Sequence, residues 1–206
     1  GSYDFNANKR REYTYALDYD LLGNIERKSQ QDFVGKGKKL NPVHESTYLL
    51  DYVYGSTPHQ ASQVGDRSYS YDMNGNSTGW DDNGNSKRRS LQWDAENRVS
   101  LIQEQGSTTE YRYNDASELT VARGPGGETI FVNKFYTVRN STVAWKHIWV
   151  GSEQISTKRE KSGRVFEHEQ FLLHKDLRGN IRIVTDTVGK IYEYLEYFPG
   201  GESWVL

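Results

Sequence analysis

The sequence predicts an all-β fold of repeated antiparallel β-hairpins forming a curled, elongated sheet. Three observations predict it. A short turn signature, aromatic–Asp–x–x–Gly–Asn, recurs as Tyr19-Asp20-x-x-Gly23-Asn24, Tyr71-Asp72-x-x-Gly75-Asn76 and Trp80-Asp81-x-x-Gly84-Asn85. The runs between signatures alternate with period two, as half-buried strands do. No segment sustains a 3.6-residue apolar period, so helix content is expected to be close to nil.

The turn has a legible physical logic. Asp or Asn at its first position accepts a hydrogen bond from a backbone N–H two residues on. Gly, or Asn as at Asn97, then supplies the positive-φ position of a type I turn with a G1 bulge. The aromatic before it ends the incoming strand and is placed to stack on its counterpart in the next hairpin.

Taken in order, the chain starts with a weak copy, Tyr3-Asp4-x-x-Ala7-Asn8. A strand follows over Tyr13–Tyr19, with Tyr13, Tyr15, Leu17 and Tyr19 on one face. Gln31–Pro42, with Gly35, Gly37 and three Lys, reads as a loose loop. Tyr48, Leu50, Tyr52 and Tyr54 resume the alternation, and Ser56–Asp66 reads as a second, partly extended loop. Tyr69 with Tyr71, and Tyr111 with Tyr113, mark further strands. Weaker turn copies are Trp93-Asp94-x-x-Asn97-Arg98 and Tyr113-Asn114-x-x-Ser117-Glu118; the copies at Tyr71, Trp93 and Tyr113 are 22 and 20 residues apart, one hairpin per repeat. Ala7 and Ser117 replace the glycine, so those turns are expected to be distorted or opened. Hairpin turns are also expected at Gln105–Gly106, Gly124–Gly127, Arg139–Ser141 and Lys161–Gly163, with bulkier strands over Ile130–Val138 and Ala144–Val150. The densest stretch comes last. Asp176-x-x-Gly179-Asn180 and Asp186-x-x-Gly189-Lys190 are followed by strand-like runs Ile181–Thr185 and Ile191–Phe198.

Composition bounds the function classes. Of 206 residues only 34% are hydrophobic, yet 13% are aromatic, with 15 Tyr and 5 Trp. Stacked amphipathic rings in a sheet suit this better than an aliphatic ball. A net charge of −2 argues against an electrostatic grip on nucleic acid. The basic runs Lys36–Lys39 and Lys87–Arg89 read as solvated loop faces. The absence of Cys excludes disulfides and thiolate chemistry. No apolar run approaches the roughly 18 residues of a membrane span, and no signal peptide is visible. Gly1–Ser2 reads as a cloning scar, and the chain as a single domain excised from a longer protein, with hairpins over 3–173 and a distinct segment over 174–206. A strip cut from its neighbours is expected to self-associate through its raw strand edges.

Candidate chemistry is thin. His168–Glu169 with His174 evokes a zinc site, but HExxH needs His at i and i+4. A separation of six places the two about 20 Å apart on a strand. Asp72-x-Asn74-x-Asn76, with Asp81, Asp82, Asn83 and Asn85, has the oxygen density of a calcium loop. Ser77 and Asn83 stand where an EF-hand needs Gly and Glu. Asp176 and Asp186 could form a hydrolytic pair, but each opens a Gly turn that uses its side chain. No Ser lies in Gly-x-Ser-x-Gly. Asn76-Ser77-Thr78 and Asn140-Ser141-Thr142 match the glycosylation pattern. Rows of Tyr and Trp leave two readings, glue between repeats or a surface for glycans or a cell-surface protein. No catalytic residue, metal or cofactor is assigned.

Repeated Tyr-Asp-x-x-Gly-Asn turns at about 20-residue spacing resemble YD repeats. The ending His174-x-Asp176-Leu177-Arg178-Gly179, Val184-Thr185-Asp186-x-x-Gly189-Lys190, Glu196-Tyr197-x-Pro199-x-Gly201-Glu202 resembles the Rhs repeat-associated core segment. The family includes bacterial Rhs polymorphic toxins and the C component of insecticidal toxin complexes, with teneurins as animal relatives. The resemblance runs from Tyr3 to Trp204. It implies a strip of hairpins spiralling into a hollow β-shell that encloses a C-terminal toxic domain, in a secreted or cell-surface protein. It also implies an aspartyl self-cleavage region beyond the core, and partners in the remaining shell and the enclosed toxin. Two positions depart from the pattern. Leu177–Arg178 precede Gly179 where the family reads Asp-His-Leu-Gly-Ser, and Gly200 stands where an aromatic is usual.

Overall fold

The computed structural model describes residues 9–36, 38–161 and 164–203. Among them the fold is all-β, with eighteen strands, one 3-10 turn at His44–Ser46 and no α-helix. The chain falls into two compact units, Gly1–Gly106 and Ser107–Leu206.

The first unit holds β1 (Lys9–Tyr19), β2 (Ile25–Lys36), β3 (Lys39–Pro42), β4 (Tyr48–Tyr54), β5 (Ala61–Val64), β6 (Arg67–Tyr71), β7 (Ser77–Asp82), β8 (Lys87–Trp93) and β9 (Val99–Glu104). All registered pairs are antiparallel. β2 pairs with β1 on one side, and with β3 and then β4 on the other. From β4 to β9 each strand pairs with the next. Because strand direction alternates, the turns that follow β1, β4, β6 and β8 lie at one end of this meander. The turns after β2, β5 and β7 lie at the other.

The second unit holds β10 (Ser107–Tyr113), β11 (Leu119–Gly124), β12 (Gly127–Asn133), β13 (Tyr136–Arg139), β14 (Val143–Val150), β15 (Glu153–Lys161), β16 (Arg164–Lys175), β17 (Ile181–Thr185) and β18 (Ile191–Tyr194). These pair in sequence, again antiparallel. His174 lies inside β16, with Ile183 of β17 across from it.

Three segments differ from the sequence reading. Gln31–Pro42 is not a loose loop but the second half of β2 and the whole of β3, paired from Phe33↔Pro42 to Lys36↔Lys39. Lys36 and Lys39 are exposed strand residues and Lys38 lies in the turn between them, a polar pattern easily read as loop. Gly35 is required there, since a Cβ would sit 1.9 Å from the Lys39 carbonyl oxygen. Ile130–Val138 is two strands, broken at Lys134–Phe135, where the Asn133 side chain accepts the Phe135 N–H at 2.9 Å. Ile191–Phe198 stops as a strand at Tyr194 and continues into a bridge, Tyr197↔Ser203. The expected Tyr3–Asn8 copy and the residues Ser162–Gly163 lie outside the described residues.

Little apolar material is enclosed. Among the described residues, the buried hydrophobic side chains are Trp80, Val184 and Phe198, while the most fully buried larger ones are the polar Gln30, Asp32 and Ser156. So few enclosed apolar side chains do not make a core of native density. Backbone pairing and the turns therefore carry a large share of the order.

Candidate functional site

The most specific chemistry on the chain lies at its turns. At Asp20, Asp72, Asp94, Asn114, Asp176 and Asp186 the same backbone pattern recurs. Residue i donates its N–H to the carbonyl of i+4, at 2.9–3.0 Å, and accepts the N–H of i+3, at 3.0–3.2 Å. The i+3 residue has φ > 0 each time: Gly23 82°, Gly75 87°, Asn97 59°, Ser117 62°, Gly179 84° and Gly189 82°. The first side chain closes the turn, its Oδ1 accepting the N–H groups of i+2 and i+4. Each turn also shifts the flanking register by one residue, so that Tyr19 faces Ile25, Tyr71 faces Ser77 and Trp93 faces Val99. This is the G1-type bulge that lets a left-handed residue fit a twisted ladder.

Ser117 does not open its turn. Both closing bonds are present at 3.0 Å, and Ser117 takes the left-handed conformation despite its Cβ. The backbone and the Asn114 cap hold it there. The side chain at i+4 completes the motif. Asn24 and Asn76 donate to the second oxygen of Asp20 and Asp72 at 2.7 and 3.0 Å, Asn180 to that of Asp176 at 3.0 Å, and Arg98 Nε to that of Asp94 at 2.8 Å. At Asn114 the roles reverse, with its amide donating to Glu118 at 2.9 Å. Phe198 supplies the backbone version alone, with Phe198 N–H to the Glu202 carbonyl and Gly201 N–H to the Phe198 carbonyl, both 2.9 Å.

Electrostatics follow from these bonds. The Asn24 amide, ahead of the opposing effect of burial, holds Asp20 below the ordinary carboxylate range, and the Asn180 amide does the same for Asp176. At Asp94 the Arg98 N–H is the largest cause. At Asp72 burial would raise the value, but the donors from Asn76 and the backbone outweigh it. These carboxylates are ionised and already engaged. Asp72, Asp176 and Asp186, the acids of the calcium and hydrolytic readings, each hold two backbone N–H groups on Oδ1.

Trp80-Asp81-x-x-Gly84-Asn85 folds differently. β7 runs through to Asp82, and it is Asp82 Oδ1 that accepts the Gly84 and Asn85 N–H groups, each at 3.1 Å. The left-handed residue is Ser86, φ 53°. The one-residue slip has a physical cause. Trp80 is buried, with the Arg67 guanidinium 4.2 Å from its ring centroid. The period of two then turns Asp82 inward and Asp81 outward, opposite Arg88.

The aromatics that end strands make a contact not read from the sequence, where ring stacking was expected. They plant their polar tips on the backbone of a neighbouring strand or turn. The Tyr54 hydroxyl donates to the Ile25 carbonyl at 3.0 Å, Tyr71 to Ala61 at 2.8 Å and Tyr197 to Ile181 at 3.1 Å. Trp93 Nε1 donates to Ser77 at 2.8 Å, and Trp149 Nε1 to Lys134 at 2.9 Å. Ile25, Ser77 and Ile181 each stand five residues after the opening residue of a capped turn. Tyr54, Tyr71 and Trp93 thereby tie β4 to β2, β6 to β5 and β8 to β7. Side chains at the turn end add ties: Asn74 and Asn76 both donate to Asn97 Oδ1, at 3.1 and 2.8 Å. His59 Nδ1 meets Asn24 Oδ1 at 2.6 Å. Because the Asn24 amide nitrogen donates to Asp20, its oxygen accepts, and His59 carries its proton on Nδ1.

His174 and His147 are both hydrogen-bonded within the sheet. His174 Nε2 meets Thr185 Oγ1 at 3.0 Å. His147 lies between Thr137, Gln154 and Thr157, and burial lowers its pKa. Among the described residues no group of three His, Cys, Asp or Glu side chains is placed to hold a metal. A buried ionic cluster joins Arg11, Asp32 and Ser46. Asp32 is 0% exposed, and Arg11 Nε donates to it at 3.0 Å. Asp32 lies inside the supposed loop, and its partners Arg11 and Ser46 lie outside it.

No family model matches the chain, and no curated protein matches it. Among solved structures it is similar to the crystal structure of TcdB2-TccC3 without hypervariable C-terminal region, with 13% sequence identity and a TM-score of 0.43 over 93% of this chain and 10% of that one. The chain thus spans about a tenth of the length of the structure it matches. At that identity and score the likeness carries no argument about function.

Proposed function

We propose that this chain is a structural wall, a segment of a YD/Rhs-repeat shell that encloses a toxic domain of a larger secreted bacterial protein. Its work is architectural and not catalytic. One observation carries the reading: the capped turn recurs with the same bonds, and strand-end aromatics latch hairpin to hairpin with almost no apolar core. A sheet that stores its order in repeated local units extends without a centre to fill, which suits a wall around something else. The resemblance of the repeats and of the 174–206 segment to the Rhs family supplies the cargo part of the proposal.

The experiment is protease protection in the full-length protein. The domain encoded beyond the wall is expected to resist digestion until the wall is opened by denaturant. Digestion of that domain at the rate of its free form would overturn the reading. So would a reading frame with no domain beyond the wall.

A second reading, glycan or cell-surface binding, has one observation in its favour. Trp145, Phe171 and Tyr192 form an aromatic row, with centroids 6.3 and 4.6 Å apart, and Tyr192 is 62% exposed. The rings are tilted by 37° and 54°, a poor platform for flat stacking. A glycan array on which Tyr192→Ala abolishes a signal would favour it over the wall.

A further inference from the structure

One histidine of the second unit is tied to three strands at once. His147 lies on β14, half-buried and opposite Thr157 of β15. Its Nδ1 stands 3.0 Å from Gln154 Nε2 and 3.1 Å from Thr157 Oγ1, both on β15, and its Nε2 stands 3.2 Å from Thr137 Oγ1 on β13. These contacts fix the tautomer. An amide nitrogen only donates, so Nδ1 meets Gln154 with a lone pair, and the ring proton sits on Nε2, toward Thr137. A second proton has to go on Nδ1, the atom to which Gln154 already donates. The charged groups around the ring do not favour it. By register and period two, Arg159 on β15 and Arg139 on β13 share the face of His147, Glu169 of β16 pairs with Arg159 at 3.1 Å, and Lys134 lies over the Trp149 ring. Glu169 is the one acid on that face among the described residues, and Arg159 holds it. Lys146, Lys158 and Glu160 lie on the opposite face. Burial with no acid of its own keeps the ring below its ordinary value of 6.5.

We infer that His147 is a proton-sensitive tie across β13, β14 and β15, and that its protonation loosens this part of the second unit. The inference concerns the unit itself and stands apart from the wall reading. On protonation the Nδ1 lone pair is lost, Gln154 must withdraw or turn its amide over, and a charge is placed in a half-buried cage with no free carboxylate. The sign follows. The unfolded chain binds this proton more readily than the sheet does. The contribution of His147 is therefore complete above 6.5 and is lost as pH falls from there toward the lowered folded value. The turn carboxylate of the same unit, Asp176, is held below 3.8, so its loss comes at lower pH. Mild acid thus opens the ladder at β13–β15 while the capped turns stay closed.

The test is amide hydrogen exchange of the intact chain at about pH 7.5 and about pH 5.5, corrected for the pH dependence of chemical exchange, with ring nitrogen shifts followed by NMR over the same range. The ring is expected to be neutral at the upper pH with its proton on Nε2, and to titrate with a midpoint below 6.5. Protection of the β13–β15 amides should fall severalfold at the lower pH. The β7 and β8 amides, on strands that carry no His, should not change. His147→Gln should give the same protection at both pH values, and His174→Gln should leave the fall in place. Gln154→Glu, which offers an acceptor to a protonated Nδ1, should shrink the fall or reverse it. The inference is overturned by a proton on Nδ1, by a midpoint at or above 6.5, by unchanged protection in the wild type, or by a fall that persists in His147→Gln or is undiminished in Gln154→Glu. Should His147→Gln prove unprotected at both pH values, the wild-type ring titration and the Gln154→Glu response decide.

Discussion

A strand-end tyrosine and a turn-opening aspartate are the residues through which this chain spends its specificity. Each latch is a hydrogen bond to a backbone carbonyl that would otherwise face the next strand, and such bonds contribute about 0.5–1.5 kcal/mol net. Tyr54→Phe and Tyr71→Phe are therefore each expected to lower unfolding free energy by about 1 kcal/mol in urea melts. Tyr19→Phe, whose hydroxyl is unpartnered among the described residues, should change nothing measurable. Equal effects at all three would contradict the latch. The turn carboxylates give a pH dependence with a defined sign. Asp20, Asp72, Asp94 and Asp176 are all held below the ordinary value of 3.8. Their stabilisation is complete above the unfolded-state value and is lost as pH falls through the lowered folded values. Their share of the stability should thus be flat from neutral pH down to the carboxylate range and fall below it. Asp72→Asn should show a smaller drop than the wild type between pH 6 and pH 3.

At the scale of the element, glycines divide into two kinds. Gly79 has φ 149°, and a Cβ there would lie 2.1 Å from the Arg89 carbonyl oxygen. Gly79→Ala should break the β7–β8 ladder, visible as lost amide protection from Ser77 to Arg89. Gly23→Ala meets nothing within 4 Å and suffers only its left-handed φ, about 1–2 kcal/mol. The buried pair adds a second element-scale test. Asp32→Ala removes the buried carboxylate that Arg11 pairs with and should cost about 3–5 kcal/mol, whereas Arg11→Met with Asp32→Leu should recover much of that loss. The repeat turns were legible in sequence because Asp and Gly at fixed offsets answer to local backbone chemistry. The latches were not, because which carbonyl a Tyr or Trp reaches depends on the register of a strand elsewhere in the chain. The same limit hid β2 and β3, whose polar residues are ordered by Arg11, Ser46 and Thr47 from outside the segment. It also hid the slip from Asp81 to Asp82, which a buried Trp80 decides.

For the whole molecule, what was legible is the class of fold: all-β, antiparallel and built of hairpins. The sparse apolar content that predicted a sheet is met by a structure in which, among the described residues, the most buried larger side chains are polar. Such a body gains little from being closed on itself and much from having neighbours, which is the physical ground for reading it as a wall. The most direct test is a density map of the full-length protein that carries this segment. The account predicts a cavity lined by strands of this kind, with a further domain enclosed. A solid particle, or a domain lying wholly outside an open strip of hairpins, would contradict it.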